Sequence, residues 1–168
     1  MTDFQYDMQR YGGRASIYIK ILLYTFRKYK KSKQTRLFWL LVFKIIASRN
    51  HLEISPKCNI GPGLYLGHPF CITINPKAQL GRNINIHKGA TIGQSNRGTR
   101  KGVPTIGNDV WIGINATLVG NITIGDNVLI PPNSYVNCDI HSNSIVLGNP
   151  CAIKPCDNAT EGYINHKC

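Results

Sequence analysis

Acidic residues are scarce in this chain: eight Asp and Glu stand against twenty Lys and Arg in 168 residues, a formal net charge of +12. That scarcity excludes a disordered acidic chain. Charged residues make up only 17%, and with sixteen glycines this does not suit a long helical bundle. The six cysteines (Cys58, Cys71, Cys138, Cys151, Cys156 and Cys168) form no C-x-x-C, and no paired Cys/His spacing marks a zinc site. Reduced, mostly packed thiols in a cytoplasmic protein are the simple reading. The first apolar run follows charged residues and lacks a cleavage pattern, so no secretory signal is expected. The apolar run 36–48 includes Lys44 and falls short of the ~20 residues needed to span a bilayer.

What is present is a rhythm. Aliphatic residues recur every six positions: Ile54, Ile60 and Leu66; then Ile74, Leu80, Ile86 and Ile92; then Ile106, Ile112, Leu118, Ile124, Ile130 and Val136. A second column of small or aliphatic residues lies two positions earlier, from Cys58 and Leu64 to Val128 and Ser134. A period of six carries an apolar position around a 3.6-residue helix, so helices do not explain it. A solenoid of short parallel strands does. Each six-residue unit is one flat side, three sides make a triangular coil, and the aliphatic columns stack inside the prism. Thirteen units predict about four coils. The period breaks twice. Two extra residues fall around His68, and eight fall in "GQSNRGTRKGVP" between Ile92 and Ile106. A solenoid tolerates insertions where they project outward, and such loops carry function.

The charge sits mostly outside the repeat. Residues 1–50 hold eleven Lys and Arg against Asp3 and Asp7; residues 51–168 hold nine against six. "ASIYIKILLYTFRKYK" (15–30) and "RLFWLLVFKIIAS" (36–48) read as two short helices split by "KSKQT", and Gly12-Gly13 ends whatever precedes them. The favoured role for this basic head is a cap on the open end of the solenoid. The alternative places the second helix in a membrane interface beside Arg27, Lys28, Lys30, Lys31 and Lys33, on the inner membrane surface. No nucleic-acid motif accompanies the charge, so no nucleic-acid partner is expected. The expected divisions are a helical segment at 1–50, the β-helix at 51–150 and a loose tail from 151 to 168.

Residues 51–155 resemble the left-handed β-helix acyltransferases of the hexapeptide-repeat superfamily. Within it they resemble the serine acetyltransferase branch and related sugar O-acetyltransferases. The resemblance rests on Leu52-Glu53-Ile54-Ser55-Pro56, Ile60-Gly61-Pro62-Gly63-Leu64, the His68 bulge, Ala90-Thr91-Ile92-Gly93, Pro104-Thr105-Ile106-Gly107 and Gly148-Asn149-Pro150. It implies an all-β, left-handed parallel β-helix and an O-acetyltransferase moving acetyl from acetyl-CoA, a co-substrate, to a hydroxyl, with no metal. It also implies a homotrimer whose sites form at subunit boundaries.

His68 matches the family's general base, and a neutral imidazole suits removal of a hydroxyl proton near neutral pH. Glu53 matches the carboxylate that orients it, where aspartate is usual. His87 is the runner-up base and otherwise a corner residue. Gly93, Ile114, Asn115 and Pro132 match positions whose backbone lines the CoA groove. Arg100 and Lys101, in the long loop, fit the phosphates of CoA or an anionic acceptor. The loop is no P-loop, since Thr99 and Arg100 follow Gly98. Three positions depart from the serine acetyltransferase pattern: Gly67 stands for an aspartate, and Gly102 and Val103 stand for Arg-His. These losses favour a cell-envelope saccharide acceptor, with polysaccharide biosynthesis as the setting; serine, for cysteine biosynthesis, is the alternative.

Overall fold

The computed structural model describes residues 1–31 and 33–168; Ser32, within the predicted break between the two helices, lies outside the described residues. Three helices precede the repeat: α1 (Asp3–Arg10), α2 (Ile17–Lys31) and α3 (Arg36–Ser48). None of the described helices is long and apolar enough to cross a membrane. Fifteen short strands follow, and fourteen of them build the three walls of a parallel, left-handed prism.

One wall has five strands: β1 (Glu53–Ile54), β4 (Thr73–Ile74), β7 (Thr91–Gly93), β10 (Thr117–Val119) and β13 (Tyr135–Val136). A four-stranded wall joins β2 (Asn59–Ile60), β5 (Gln79–Leu80), β8 (Thr105–Ile106) and β11 (Thr123–Ile124). The third wall joins β3 (Tyr65–Gly67), β6 (Asn85–His87), β9 (Val110–Ile112), β12 (Val128–Ile130) and β14 (Ser144–Leu147), and β15 (Ala152–Pro155) adds antiparallel to β14.

The register carries the sequence rhythm into space. Undisturbed coils pair residues eighteen apart, as Thr73 with Thr91 and Thr105 with Thr123. Across the His68 interruption the step is twenty, Glu53 to Thr73. Across the long loop it is twenty-six, Gln79 to Thr105. Both insertions are therefore absorbed outside the ladder, and every hexad aliphatic is buried, from Ile54 at 7% exposure to Val136 at 0%. Each such side chain contributes roughly 1.5–3 kcal/mol of burial. Five rungs form rather than four, because Ser144–Leu147, beyond the last hexad residue Val136, continues the third wall.

The head caps the first coil with side chains as well as apolar packing. Arg27 donates to the carbonyls of Ile60 and Gly61, both at 2.7 Å. Its guanidinium is paired to Asp7, and Asp7 Oδ1 accepts from the Leu64 backbone N–H at 2.8 Å. The Leu66 N–H donates to the Tyr11 hydroxyl at 2.8 Å. Edge groups that would otherwise template another strand are thus satisfied internally. Arg27, grouped by sequence with the surface cations, is 3% exposed and structural.

The tail is not loose. It runs back over the third wall: Tyr163 stacks edge-on against Trp111 at 5.1 Å, Asn83 donates to the Cys168 carbonyl at 3.1 Å, and Arg10 donates to the Asn165 carbonyl. Ala159, Thr160 and Ile164 are buried. Its partners are polar groups of the prism wall, which a search for aliphatic periodicity does not register. The thiols are also less packed than expected: Cys58 alone is buried, and Cys71 is exposed.

Candidate active site

The polypeptide enters the third and the first walls through a corner residue in the left-handed region. At the corner between the third and first walls these are Cys71 (φ 51°), Gly89 (φ 71°), Asn115 (φ 57°) and Asn133 (φ 60°), stacked by backbone bonds from Gly89 N to Phe70 O, Asn115 N to Lys88 O and Asn133 N to Ile114 O. Glycine and asparagine are the residues that tolerate this conformation. His68 (φ 50°) is an additional left-handed residue on the same corner, within the five-residue segment 68–72 between β3 and β4. The other coils cross there in fewer residues, so His68 has no counterpart above it. It is exposed on the corner. An imidazole held in a disfavoured backbone conformation on an inserted segment is a reason to ask for function.

Glu53 opens β1, one rung below Thr73, and accepts a hydrogen bond from Thr73 Oγ1 at 3.3 Å. Thr73 is the residue at which the ladder resumes after the bulge. Among the described residues no hydrogen bond or ion pair joins Glu53 to His68, so the carboxylate braces the strand leaving the bulge rather than the ring itself. Glu53 also lines a groove of about 980 Å³ between α3 and the first wall, with Phe43, Thr73, Asn75, Gly93 and Gln94 among its other walls.

The predicted CoA residues divide between two corners. Ile114 and Asn115 lie between β9 and β10, and Pro132 between β12 and β13, on the same corner as His68. Gly93, Arg100 and Lys101 lie where the chain leaves the first wall for the second. There the long loop forms a small hairpin bridged at Ser95 and Gly102. Arg100 is paired to Asp139 at 3.0 Å, and its carbonyl accepts from Asn121 N–H at 2.9 Å. The Thr123 backbone N–H and then Arg100 hold the Asp139 carboxyl below its ordinary range. Within one chain, therefore, His68 and the cationic loop flank opposite ends of the five-stranded wall.

His87, the runner-up base and otherwise the expected corner residue, closes β6 where the chain enters the His68 corner. It pairs with Gly67 in the ladder, and a Cβ added at Gly67 would lie 2.5 Å from its ring. The ring sits 4.7 Å from Trp111, and its buried Nε2 has no hydrogen-bond partner. Burial, and then the nearby His68, push the His87 imidazole down to about 4. A neutral ring at neutral pH follows, packed against Trp111 rather than exposed as a base. With Arg10, Arg14, Tyr65 and Trp111 it lines a second cavity of about 540 Å³.

A left-handed parallel β-helix with one exposed histidine lifted from its corner defines a class of protein. The model of the bacterial transferase hexapeptide (six repeats) family matches residues 104–138. A serine acetyltransferase of Staphylococcus xylosus is 31% identical over 140 residues, covering 83% of this chain and 63% of that protein. The serine acetyltransferase of Neisseria gonorrhoeae superposes with a TM-score of 0.70 at 27% identity, over 92% of this chain and 66% of that one. A soybean serine acetyltransferase gives a TM-score of 0.75 at 24% identity, over 90% of this chain and 67% of that one, and bears on the fold alone. The chain carries the hexapeptide transferase repeat over residues 104–138 and shares its left-handed β-helix fold with these acyltransferases. It spans less than two thirds of the length of the curated relatives it matches.

These relatives overturn the expected saccharide acceptor and its polysaccharide setting, because the similar proteins are serine acetyltransferases. The geometry explains why the departures misled. Gly67 is glycine because the His87 ring occupies the space of a side chain there, and Gly102 (φ 142°) because a Cβ would lie 2.9 Å from that of Asn121.

Proposed function

We propose that this chain is an acetyl-CoA-dependent serine O-acetyltransferase with His68 as its general base. The observation that carries the reading is the 31% identity, over 83% of the chain, to a serine acetyltransferase. The left-handed His68 on the inserted corner is consistent with it.

In this mechanism the neutral imidazole takes the serine hydroxyl proton as that oxygen attacks the thioester carbonyl. The tetrahedral intermediate collapses, the carbon–sulfur bond breaks, and the imidazolium returns its proton to the departing CoA thiolate. Glu53 is a positioning residue: it fixes the strand that follows the bulge and so the direction in which His68 points. The backbone around Gly93, Ile114, Asn115 and Pro132 receives CoA, and Arg100 and Lys101 face its phosphates.

The division of these groups between two corners supports a homotrimer. Copies side by side would bring the loop of one chain to the His68 corner of the next, completing a site that one chain holds in halves. In this reading residues 51–150 form the catalytic unit, with 1–50 as its cap and 151–168 as a strap.

The test is thiol release from acetyl-CoA with and without L-serine. Serine-dependent release, with O-acetylserine as product, is expected. Release no faster with serine than without it overturns the proposal.

A further inference from the structure

The α2–α3 pair presents an apolar surface that nothing in the prism covers. Helix α3 buries Phe43 and Ala47 against the first coil. Its opposite side exposes Leu37 (69%), Phe38 (58%), Leu41 (54%) and Ile45 (62%). Residues 37, 41 and 45 are spaced one turn apart and form one stripe. The stripe continues onto α2 through a groove of about 320 Å³ lined by Ile21, Tyr24, Phe38, Trp39 and Val42. An exposed helix face this apolar marks an interaction surface.

The charge around it identifies the partner. Between Asp7 and Glu53 there is no acidic residue, while eleven Lys and Arg occur. Arg10 and Arg27 are buried in the cap; Lys20, Lys31, Lys33, Arg36, Lys44 and Arg49 are exposed around the apolar face. A second copy meeting this face would set the cations of α2 and α3 against one another, and neither helix carries a carboxylate to offset them, which disfavours self-pairing. A nucleic acid would match the charge and leave the leucines, isoleucine and phenylalanine without a role. A bilayer surface bearing anionic headgroups matches both, with acyl chains for the stripe and phosphates for the surrounding cations. Trp39 and Tyr24, packed edge to face at 5.6 Å, stand at the boundary where amphipathic rings settle.

We infer that the α2–α3 face docks the enzyme on an anionic phospholipid surface. The attachment is peripheral, and the inference does not depend on the acceptor proposed above.

The experiment is co-sedimentation of the full chain with vesicles of phosphatidylcholine alone and with added phosphatidylglycerol, at low and high salt. Binding to the anionic vesicles is expected, weakened by salt, with a blue shift of fluorescence that Trp39→Phe removes. Leu41→Asp combined with Ile45→Asp lowers partition about a hundredfold, since two buried apolar side chains are lost. Lys31→Glu combined with Arg36→Glu lowers it about tenfold or more. All four positions are exposed, and an unchanged circular dichroism spectrum shows that the variants fold. Three results would overturn the inference. One is equal or absent binding to both vesicle types. Another is self-association abolished by the same aspartates, and the last is tighter binding to an oligonucleotide than to the anionic vesicles.

Discussion

The corner between the third and first walls is crossed in two ways. In the regular coils its left-handed position is filled by Gly89, Asn115 and Asn133, residues that adopt this conformation at little cost. In the interrupted coil it is filled by Cys71, with His68 as a further left-handed residue that no other coil has. The Cys71 position thus departs from the chemistry of those three, as does His51 (φ 51°) one rung below, and it does so beside the exposed, inserted His68. Regularity here reports what the fold needs. Irregularity reports what the fold tolerates for another purpose.

The largest way to break this comparison is at His68. His68→Ala should lower turnover ~10²–10⁴-fold while acetyl-CoA still binds, which single-turnover assays and ligand titration would separate. Glu53→Ala, which removes the acceptor for Thr73 Oγ1, should cost less, on the order of tenfold, because the imidazole remains in place. A loss as large as that of His68→Ala would mean that the carboxylate does more than hold the strand. In the regular wall the pattern inverts. Ile112→Ala, at a site with 0% exposure, should cost ~2–5 kcal/mol of stability in denaturant unfolding. Turnover per folded molecule should stay near its original value.

Smaller effects sharpen the same contrast. Gly67→Ala pushes a Cβ into the His87 ring and should destabilise by ~1–3 kcal/mol. Adding His87→Ala should restore most of that loss, and failure of the rescue would show that the clash is not with the ring. His68→Gly should remove activity yet gain about 1 kcal/mol, because glycine relieves the left-handed conformation. Asn133→Gly, on the same corner, should stay within a few tenths of neutral.

The prism was legible because burial on three sides forces aliphatic residues into columns, and both breaks of period reappear as register steps of twenty and twenty-six residues. The insertion that carries His68 was legible for the complementary reason: it stands where the columns stumble. The acceptor was not legible. Gly67 and Gly102 look like deletions of function in a linear reading, whereas in space they are the consequence of His87 and Asn121 filling the volume. A side chain twenty residues away along the sequence, one rung away in the ladder, carries no periodic signal. The tail escaped for a related reason, since its partners Asn83, Asn85 and Trp111 are polar or aromatic residues on the outer face of the wall.

His87 gives the finest test, because its ring lies one rung from the turn that carries His68. In the unfolded chain an imidazole takes its proton near the ordinary value of about 6.5. In the native corner, burial and the neighbouring His68 hold His87 neutral down to about 4. Below pH 6.5 the unfolded chain therefore binds a proton that the native chain refuses. The stability that this site contributes is complete above that value and drains as pH falls towards 4. His87→Gln removes the titration while keeping a polar side chain. Its melting temperature should fall less steeply than that of the wild-type protein between pH 6.5 and 4, and the two curves should run parallel above pH 7. Parallel curves across the whole range would mean that the ring is open to solvent. The shielded neighbour of the His68 corner would then be no different from any surface histidine.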